Sequence, residues 1–463
     1  VDTSSAKSVL LNRICENGER PLVRCDGVSI GYRQIVEKMQ AWQSQLQALQ
    51  VRPGQVVSVA GRFSADSIAL LLALFESRCI VVPFDDESSE DIAQRQVIAY
   101  VEHGFTRHDT QSFGHQTLAC RSAHPYLEQL RSAGDAGLIL FTSGSTGHSK
   151  AALHAWSPLL ERYAAQPKRK PARTMVFLKF DHIGGINTLL ATVMNGGCIV
   201  AVHDRSPEAV CRLIAQEHVD VLPTTPSFLN MLLLSRAWER FDLSSLKLIT
   251  YGTEPMPAST LHALQRRFPG VKLKQTYGLT ELGIFPTRSR EDGSTFMQIR
   301  EGDVQTRIVG EVLHIKCATA MLGYLNAPSP FDADGWYDTG DRVNVEDGFI
   351  RVLGRASEMI NVGGEKVFPS EIESVLLEMD NVADVAVSGK HSPVTGQLVM
   401  ATFKLKQPEA LNDLRVRVSQ YCKDRLEAYK IPRHVVISDA ELISSRLKKA
   451  RVSGPAATGG SER

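Results

Sequence analysis

A doubly wound α/β protein followed by a smaller α+β unit is the fold class this sequence predicts. Three observations carry it. Apolar runs of strand length alternate with helical stretches over the first part of the chain. After about residue 300 the texture changes to short strands around turns. The length of 463 residues exceeds one ordinary domain and is enough for a large core.

Taken in order, Ile35, Met39, Trp42, Leu46 and Leu49 form one apolar stripe at helical spacing. Pro53-Gly54 is a turn and 56–60 a short strand. A second apolar helix spans 64–76, and a buried strand spans 79–82, ending at Pro83. The alternation continues through strands at 138–141, 175–177, 198–202, 219–222 and 246–251. No internal repeat stands out. Beyond 300, strands at 308–315 and 348–353 flank turns at Asp334-Gly335 and Glu346-Asp347-Gly348. Past Arg355 a compact segment begins with a helix presenting Ile372, Val375, Leu376 and Met379 on one face. Strands at 383–387 and 399–404 and a helix at 411–426 complete a small α+β unit. Residues 454–463 are rich in Gly, Ala and Ser and are expected to be disordered.

Hydrophobic content of 43% and charged content of 22% fit a soluble globular enzyme. A formal net charge of +1 points to neither a nucleic-acid nor a membrane-surface partner. The eight cysteines are scattered without a C-x-x-C pair, which fits reduced thiols in a cytoplasmic protein. The apolar run around Ile68 to Phe75 is too short to span a bilayer. The opening residues have no basic region and no apolar stretch, so no signal peptide is expected.

Chemistry enters at Phe141-Thr142-Ser143-Gly144-Ser145-Thr146-Gly147-His148-Ser149-Lys150. Leu138, Ile139 and Leu140 lead into it as the end of a buried strand. Two glycines let the backbone close around an anion, and backbone N–H groups with Ser and Thr hydroxyls can donate to phosphate oxygens. Lys150 adds a point charge. A Walker loop needs Gly before its Lys and Ser or Thr after it, whereas Ser149 precedes Lys150 and Ala151 follows. The run instead resembles the phosphate loop of the adenylate-forming (ANL) superfamily: acyl- and aryl-CoA ligases, peptide-synthetase adenylation domains and firefly-type luciferases. Ser149 replaces the usual Pro and Ala151 the last Gly.

Further runs resemble that superfamily in the same order. Tyr277-Gly-Leu-Thr280-Glu281 is similar to its Tyr-Gly-x-Thr-Glu. The resemblance implies Tyr277 stacked on the purine, Thr280 on the α-phosphate and Glu281 on Mg²⁺. Asp338-Thr-Gly-Asp341 follows Gly335-Trp-Tyr, and Asp341 is the implied acceptor for both ribose hydroxyls. Gly354-Arg355 and the run from Ile360 to Glu373 resemble the start of the mobile C-terminal domain. Arg355 then joins the nucleotide contacts, the hinge falls on Ser357, and Gly363-Gly364 lines the thiol tunnel after rotation. Tyr251-Gly252-Thr-Glu254-Pro255 resembles the strand end bordering adenine and acyl group, with Gly252 the backbone contact. Phe180-Asp181-His182-Ile-Gly-Gly185 resembles the Phe-His-x-Gly-Gly of CoA ligases with one residue inserted, which makes His182 line the acid pocket. The terminal run Leu442 to Arg451 stands where the family carries its catalytic lysine. A Lys-x-x-Arg spacing selects Lys448, with Lys449 as competitor because Leu447 replaces the usual Gly.

The resemblance extends from about residue 20 to 451. It implies a large N-terminal domain, 1–354, of stacked α/β subdomains plus a small barrel-like β part, and a mobile domain at 355–463. It implies ATP, Mg²⁺ and a thiol, either coenzyme A or phosphopantetheine on an acyl carrier protein. The activity would be acyl-adenylate formation from a small carboxylic acid, then transfer to the thiol. Two alternatives stand beside it. One is an amino-acid-activating domain in which Asp181 meets an ammonium group. The other is a nucleotide-binding protein without ligase activity.

Overall fold

A computed structural model describes residues 3–85, 89–108, 112–118, 123–143, 149–291, 293–300, 302, 304–444 and 449. Two seven-stranded sheets dominate the first part. The first runs Lys272–Gln275, Leu248–Tyr251, Val221–Thr224, Arg173–Val176, Cys198–Ala201 and Pro21–Cys25, all parallel, with Val28–Gly31 closing one edge as an antiparallel hairpin. The second is parallel through Gly137–Ser143, Ile80–Phe84, Val56–Ala60 and His103–Arg107, with antiparallel strands at both edges.

Helices fill the space between these sheets. In the helix Ala65–Glu76 every residue from Ser67 to Phe75 is buried, as expected of a helix that is apolar all round. Its N-terminus is capped by Ser64, whose Oγ accepts from Ser67 N at 3.1 Å. Phe75 stacks on Trp156 with ring centres 3.6 Å apart. One core joins this helix to Leu22, Val23 and Ile199 of the first sheet and to Val57, Val59, Leu138 and Leu140 of the second. The alternate residues Val56, Ala60, Ile139 and Phe141 face a different core on the far side, which is the period-2 alternation of a strand buried on both faces.

The strand expected to end at Pro83 continues through it to Phe84. Its paired residues with Gly137–Ser143 are Ile80 and Val81 only, so that flank carries no ladder pairing at the proline.

The β part after residue 286 is a six-stranded antiparallel sheet in the order Thr287–Ser289, Met297–Ile299, Phe349–Arg355, Tyr337–Glu346, Val312–Cys317, Val304–Val309. These strands are the small β part that the family resemblance implies. The strand Gly323–Tyr324 leaves it to pair with Ser149–Ala155 of the second large sheet. After a short 3₁₀ turn, Ala356–Glu358, residues from Ile360 to Val435 build a core of their own. There the helices Pro369–Leu376 and Leu411–Cys422 accompany a five-stranded sheet. Among the described residues no helix is long and apolar enough to cross a membrane. Among the described residues the cysteines form no disulfide.

Candidate active site

A cleft of about 860 Å³ opens at the carboxyl ends of the parallel strands, with residues of the C-terminal unit on its other wall. In open α/β sheets the crevice beyond the strand ends is the usual place for ligands. Its lining brings together Thr142, His182, Gly252, Thr280, Glu281, Arg355 and Ser357. Sequence separations of more than 200 residues collapse here into one wall.

The strands Gly137–Ser143 and Ser149–Ala155 form an antiparallel pair in which Thr142 faces Lys150 and Ser143 faces Ser149. The loop expected to hold phosphate is therefore the tip of a hairpin rooted in the sheet. Gly144, Ser145, Thr146 and Gly147 lie outside the described residues. Asn326 fastens the root: its Oδ1 accepts from Ala151 N and its Nδ2 donates to Ser149 O, both at 2.9 Å. Lys150 Nζ sits 5.2 Å from the ring centre of Tyr324, a cation–π contact.

Tyr324 continues the chain of contacts. Its hydroxyl donates to Glu281 Oε1 at 2.6 Å. Burial, then the Glu281 charge, push the Tyr324 phenol well above its ordinary pKa, so it stays protonated as a donor. Tyr337 also faces the same carboxylate. Behind it, His154 is fully buried and its Nε2 donates to the Thr280 carbonyl at 2.8 Å. Burial lowers the imidazole pKa to about 4. The backbone at Thr280 and the side chain of Glu281 are thus fixed from behind. Glu281 lies on the cleft wall, and a carboxylate there suits Mg²⁺ that would otherwise be held by phosphate oxygens and water.

Gly252 ends the strand Leu248–Tyr251 against Thr276. A Cβ at Gly252 would stand 2.5 Å from Thr276 Oγ1 and 2.7 Å from its carbonyl oxygen, so no larger residue fits without displacing the neighbouring strand end. His182 caps the helix Ile183–Met194, its Nδ1 accepting from Gly184 N at 3.0 Å. It therefore holds that helix as well as lining the cleft. Asp181, its neighbour, is buried and does not line the cleft.

Three expected contacts do not line the cleft. Tyr277 is buried in the core of the β part beside Phe285, and its hydroxyl donates to Asp341 Oδ2 at 2.7 Å. A buried phenol needs such a partner. The Tyr277 ring is accordingly not on the cleft wall, although Gly278 and Leu279 are. Asp341 is also buried, with Oδ1 3.6 Å from Arg355 Nε. Burial raises its carboxyl pKa, and Arg355 and Tyr277 pull against that shift. Glu254 lines a separate cavity of about 450 Å³. There its Oε1 accepts from Ser227 N at 2.7 Å, at the start of the helix Pro226–Ser235, and its Oε2 from Lys449 N at 3.0 Å.

Lys448 lies outside the described residues. Lys449 reaches both cavities, and its ammonium is paired with Asp384, both side chains being nearly buried. Four contributors went unnoticed in the sequence: Tyr324, Asn326, His154 and Thr224, the last a buried cleft hydroxyl without a hydrogen-bond partner among the described residues. Gly323-Tyr-Leu-Asn326 was the available signal. It has the look of an ordinary turn until its pairing with the phosphate hairpin is known.

The arrangement joins one cleft at the strand ends to a C-terminal unit with a core of its own. The profile of the family described as AMP-binding enzyme matches residues 94–310, and that of the AMP-binding enzyme C-terminal domain matches residues 371–449. The chain belongs to the adenylate-forming (ANL) superfamily. It is 32% identical to an indoleacetate–CoA ligase of Aromatoleum aromaticum over 68% of this chain and 65% of that one. It is 24% identical to a 2-succinylbenzoate–CoA ligase of Bacillus cytotoxicus over 92% and 93% of the two chains. The chain thus spans about two thirds of the length of the first of these relatives and nearly all of the second. In fold it is similar to the anthranilate CoA ligase AuaEII in complex with anthranoyl-AMP, with a TM-score of 0.83 at 21% identity, covering 97% of this chain and 98% of that one.

Proposed function

We propose that this protein activates a small carboxylic acid with ATP and transfers the acyl group to the thiol of coenzyme A. In the first step a carboxylate oxygen attacks the α-phosphorus of ATP, the bond to the bridging oxygen breaks, and pyrophosphate leaves. In the second step the thiol attacks the acyl carbon, its proton is lost to solvent, and AMP leaves. The observation that carries this reading is the single cleft lined together by Thr142, Thr280, Glu281, Arg355 and His182. Such chemistry asks the protein chiefly to position groups and to stabilise charge. Mg²⁺, when bound, neutralises developing phosphate charge. Glu281 holds the metal's position, and Tyr324 and His154 keep the Thr280–Glu281 segment in place.

Beside His182 the cleft wall carries Leu178, Ile183 and Ile284 with the neutral polar groups Asn187 and Thr188. We assign it to an apolar, ring-bearing acid with at most a small polar substituent. The aromatic acids in the names of the relatives support that choice. Asp181 is placed away from the cleft wall, which weighs against recognition of an α-ammonium group. Coenzyme A is preferred as acceptor because the named relatives are CoA ligases; phosphopantetheine on a carrier protein is the other thiol. We further assign residues 1–354 and 355–463 to two domains that turn about Ser357, which lies in the 3₁₀ turn between them. With Lys449 engaged by Asp384, Lys448 is the lysine assigned to the α-phosphate.

The test is pyrophosphate release across aryl, fatty and amino acids, followed by thioester detection with coenzyme A and with a phosphopantetheinylated carrier. Arylacetic or benzoic acids should give the highest turnover. Glu281→Gln should slow release by about 10²-fold or more, the loss expected when a transition-state electrostatic partner is removed. If no acid releases pyrophosphate, the ligase reading fails and a binding protein without activity takes its place. If Glu281→Gln behaves as wild type, the metal assignment fails alone.

A further inference from the structure

A second cluster of ligating groups lies at the edge of the first large sheet, apart from the cleft. Cys25 ends the strand Pro21–Cys25. Asp26 follows in the left-handed region at φ 49°, and Gly27 at φ 77°, which makes the tight turn into Val28–Gly31. His203 lies just beyond the neighbouring parallel strand Cys198–Ala201, whose Ile199 and Val200 pair with Val23 and Arg24. The ladder register therefore brings Cys25, Asp26 and His203 side by side, on elements fixed by sheet hydrogen bonds.

Their distances are close to those of a metal's ligands. Cys25 Sγ is 3.4 Å from His203 Nε2 and 3.4 Å from Asp26 Oδ2, and His203 Nε2 is 3.5 Å from Asp26 Oδ2. A tetrahedral zinc with bonds of about 2.0–2.3 Å sets its ligand atoms roughly 3.2–3.8 Å apart. All three observed edges fall in that range. The donor set of one thiolate, one imidazole and one carboxylate suits a borderline-soft cation. Among the described residues it is the one group of three such side chains with converging ligand atoms.

We propose that Cys25, Asp26 and His203 form a zinc site, completed by water, that staples the edge hairpin to the adjacent strand. The charges around it are compatible. Burial first, and then the nearby Arg62, Arg107 and Arg205, lower the His203 imidazole pKa against the pull of Asp26, which favours the neutral form that ligates. Zinc with one thiolate and one carboxylate is neutral overall, so these arginines do not face a net cation. A coordinated thiol loses its proton outright, which removes the obstacle that burial and Asp26 otherwise raise against ionising Cys25.

The full chain, stripped of metal with a chelator, is titrated with CoCl₂ and then ZnCl₂. One equivalent of cobalt should give a thiolate-to-cobalt charge-transfer band and the visible bands of a four-coordinate ion. One equivalent of zinc should abolish both and raise Tm. Cys25→Ser should lose the charge-transfer band, whereas Cys15→Ser at an exposed cysteine should keep it. Asp26→Asn and His203→Gln should weaken zinc binding by about tenfold or more, since even outer-shell partners matter to that extent. Pyrophosphate release serves as the folding control, because neither Cys25 nor His203 lines the cleft. A wild-type protein without the charge-transfer band overturns the proposal. A band that survives in Cys25→Ser does so too, because the metal then sits on another cysteine.

Discussion

The individual residues of the cleft differ in how visibly their roles are written in sequence. Glu281 and Thr280 stand in a recognisable run, but the groups that hold them do not. His154 lies 126 positions away and meets Thr280 only because two strands end at the same place. Its burial has a measurable consequence. The unfolded imidazole titrates near 6.5 and the folded one near 4, so between those values the unfolded chain binds more protons. Stability is therefore full above pH 6.5 and falls as the pH drops toward 4. Between pH 7 and 5 this group should cost wild type up to about 2 kcal/mol, a loss that His154→Gln should lack. Denaturant midpoints for both proteins at the two pH values would check it, and parallel losses would rule out His154 as the cause. Asp341 gives a second expectation. Its carboxyl pKa is raised by burial, so as the pH falls it loses its charge earlier than an exposed aspartate does. The KM for ATP should rise over that fall, and Asp341→Asn should raise KM while flattening its pH dependence. A variant whose profile parallels wild type would remove Asp341 from the ribose. Tyr277 shows the limit of motif reading: five residues name the tyrosine, yet only the fold shows its hydroxyl turned to Asp341.

At the scale of elements, strand and helix positions were largely legible, because buried strands and apolar helices advertise themselves by periodicity. The strand Val56–Ala60 and the helix Ala65–Glu76 fall where the pattern puts them. Pro83 misled because its effect depends on which flank of the strand is paired, and pairing is not local information. The same holds for Lys448 and Lys449, neighbours that spacing alone cannot separate. Lys449 joins two elements: its ammonium meets Asp384 and its backbone N–H meets Glu254. Removing one member of a buried pair costs about 3–5 kcal/mol. Lys449→Ala should therefore lower Tm more than it lowers pyrophosphate release. Lys448→Ala should do the opposite, with release slowed by about 10²-fold. Reversed phenotypes would shift the lysine register by one residue.

For the whole molecule, the sequence indicated a large and a small part but not how many sheets the large part holds. Two seven-stranded sheets and their shared helices emerge only from long-range register. If the parts turn about Ser357, Ser357→Pro should preserve pyrophosphate release and suppress thioester formation from a supplied acyl-adenylate, since proline fixes φ at the pivot. Retention of both half-reactions would move the pivot elsewhere. The buried helix Ala65–Glu76 carries a different consequence, for how the chain comes apart. Side chains from both sheets pack against it, so neither sheet can melt while the other stays intact. The unit from Ile360 to Val435 has no share in that core. Calorimetry should accordingly resolve two endotherms, one for the small unit and one for the paired sheets together. In native-state hydrogen exchange the amides from Ile68 to Phe75 should be among the slowest to open, reporting the global transition of the large part.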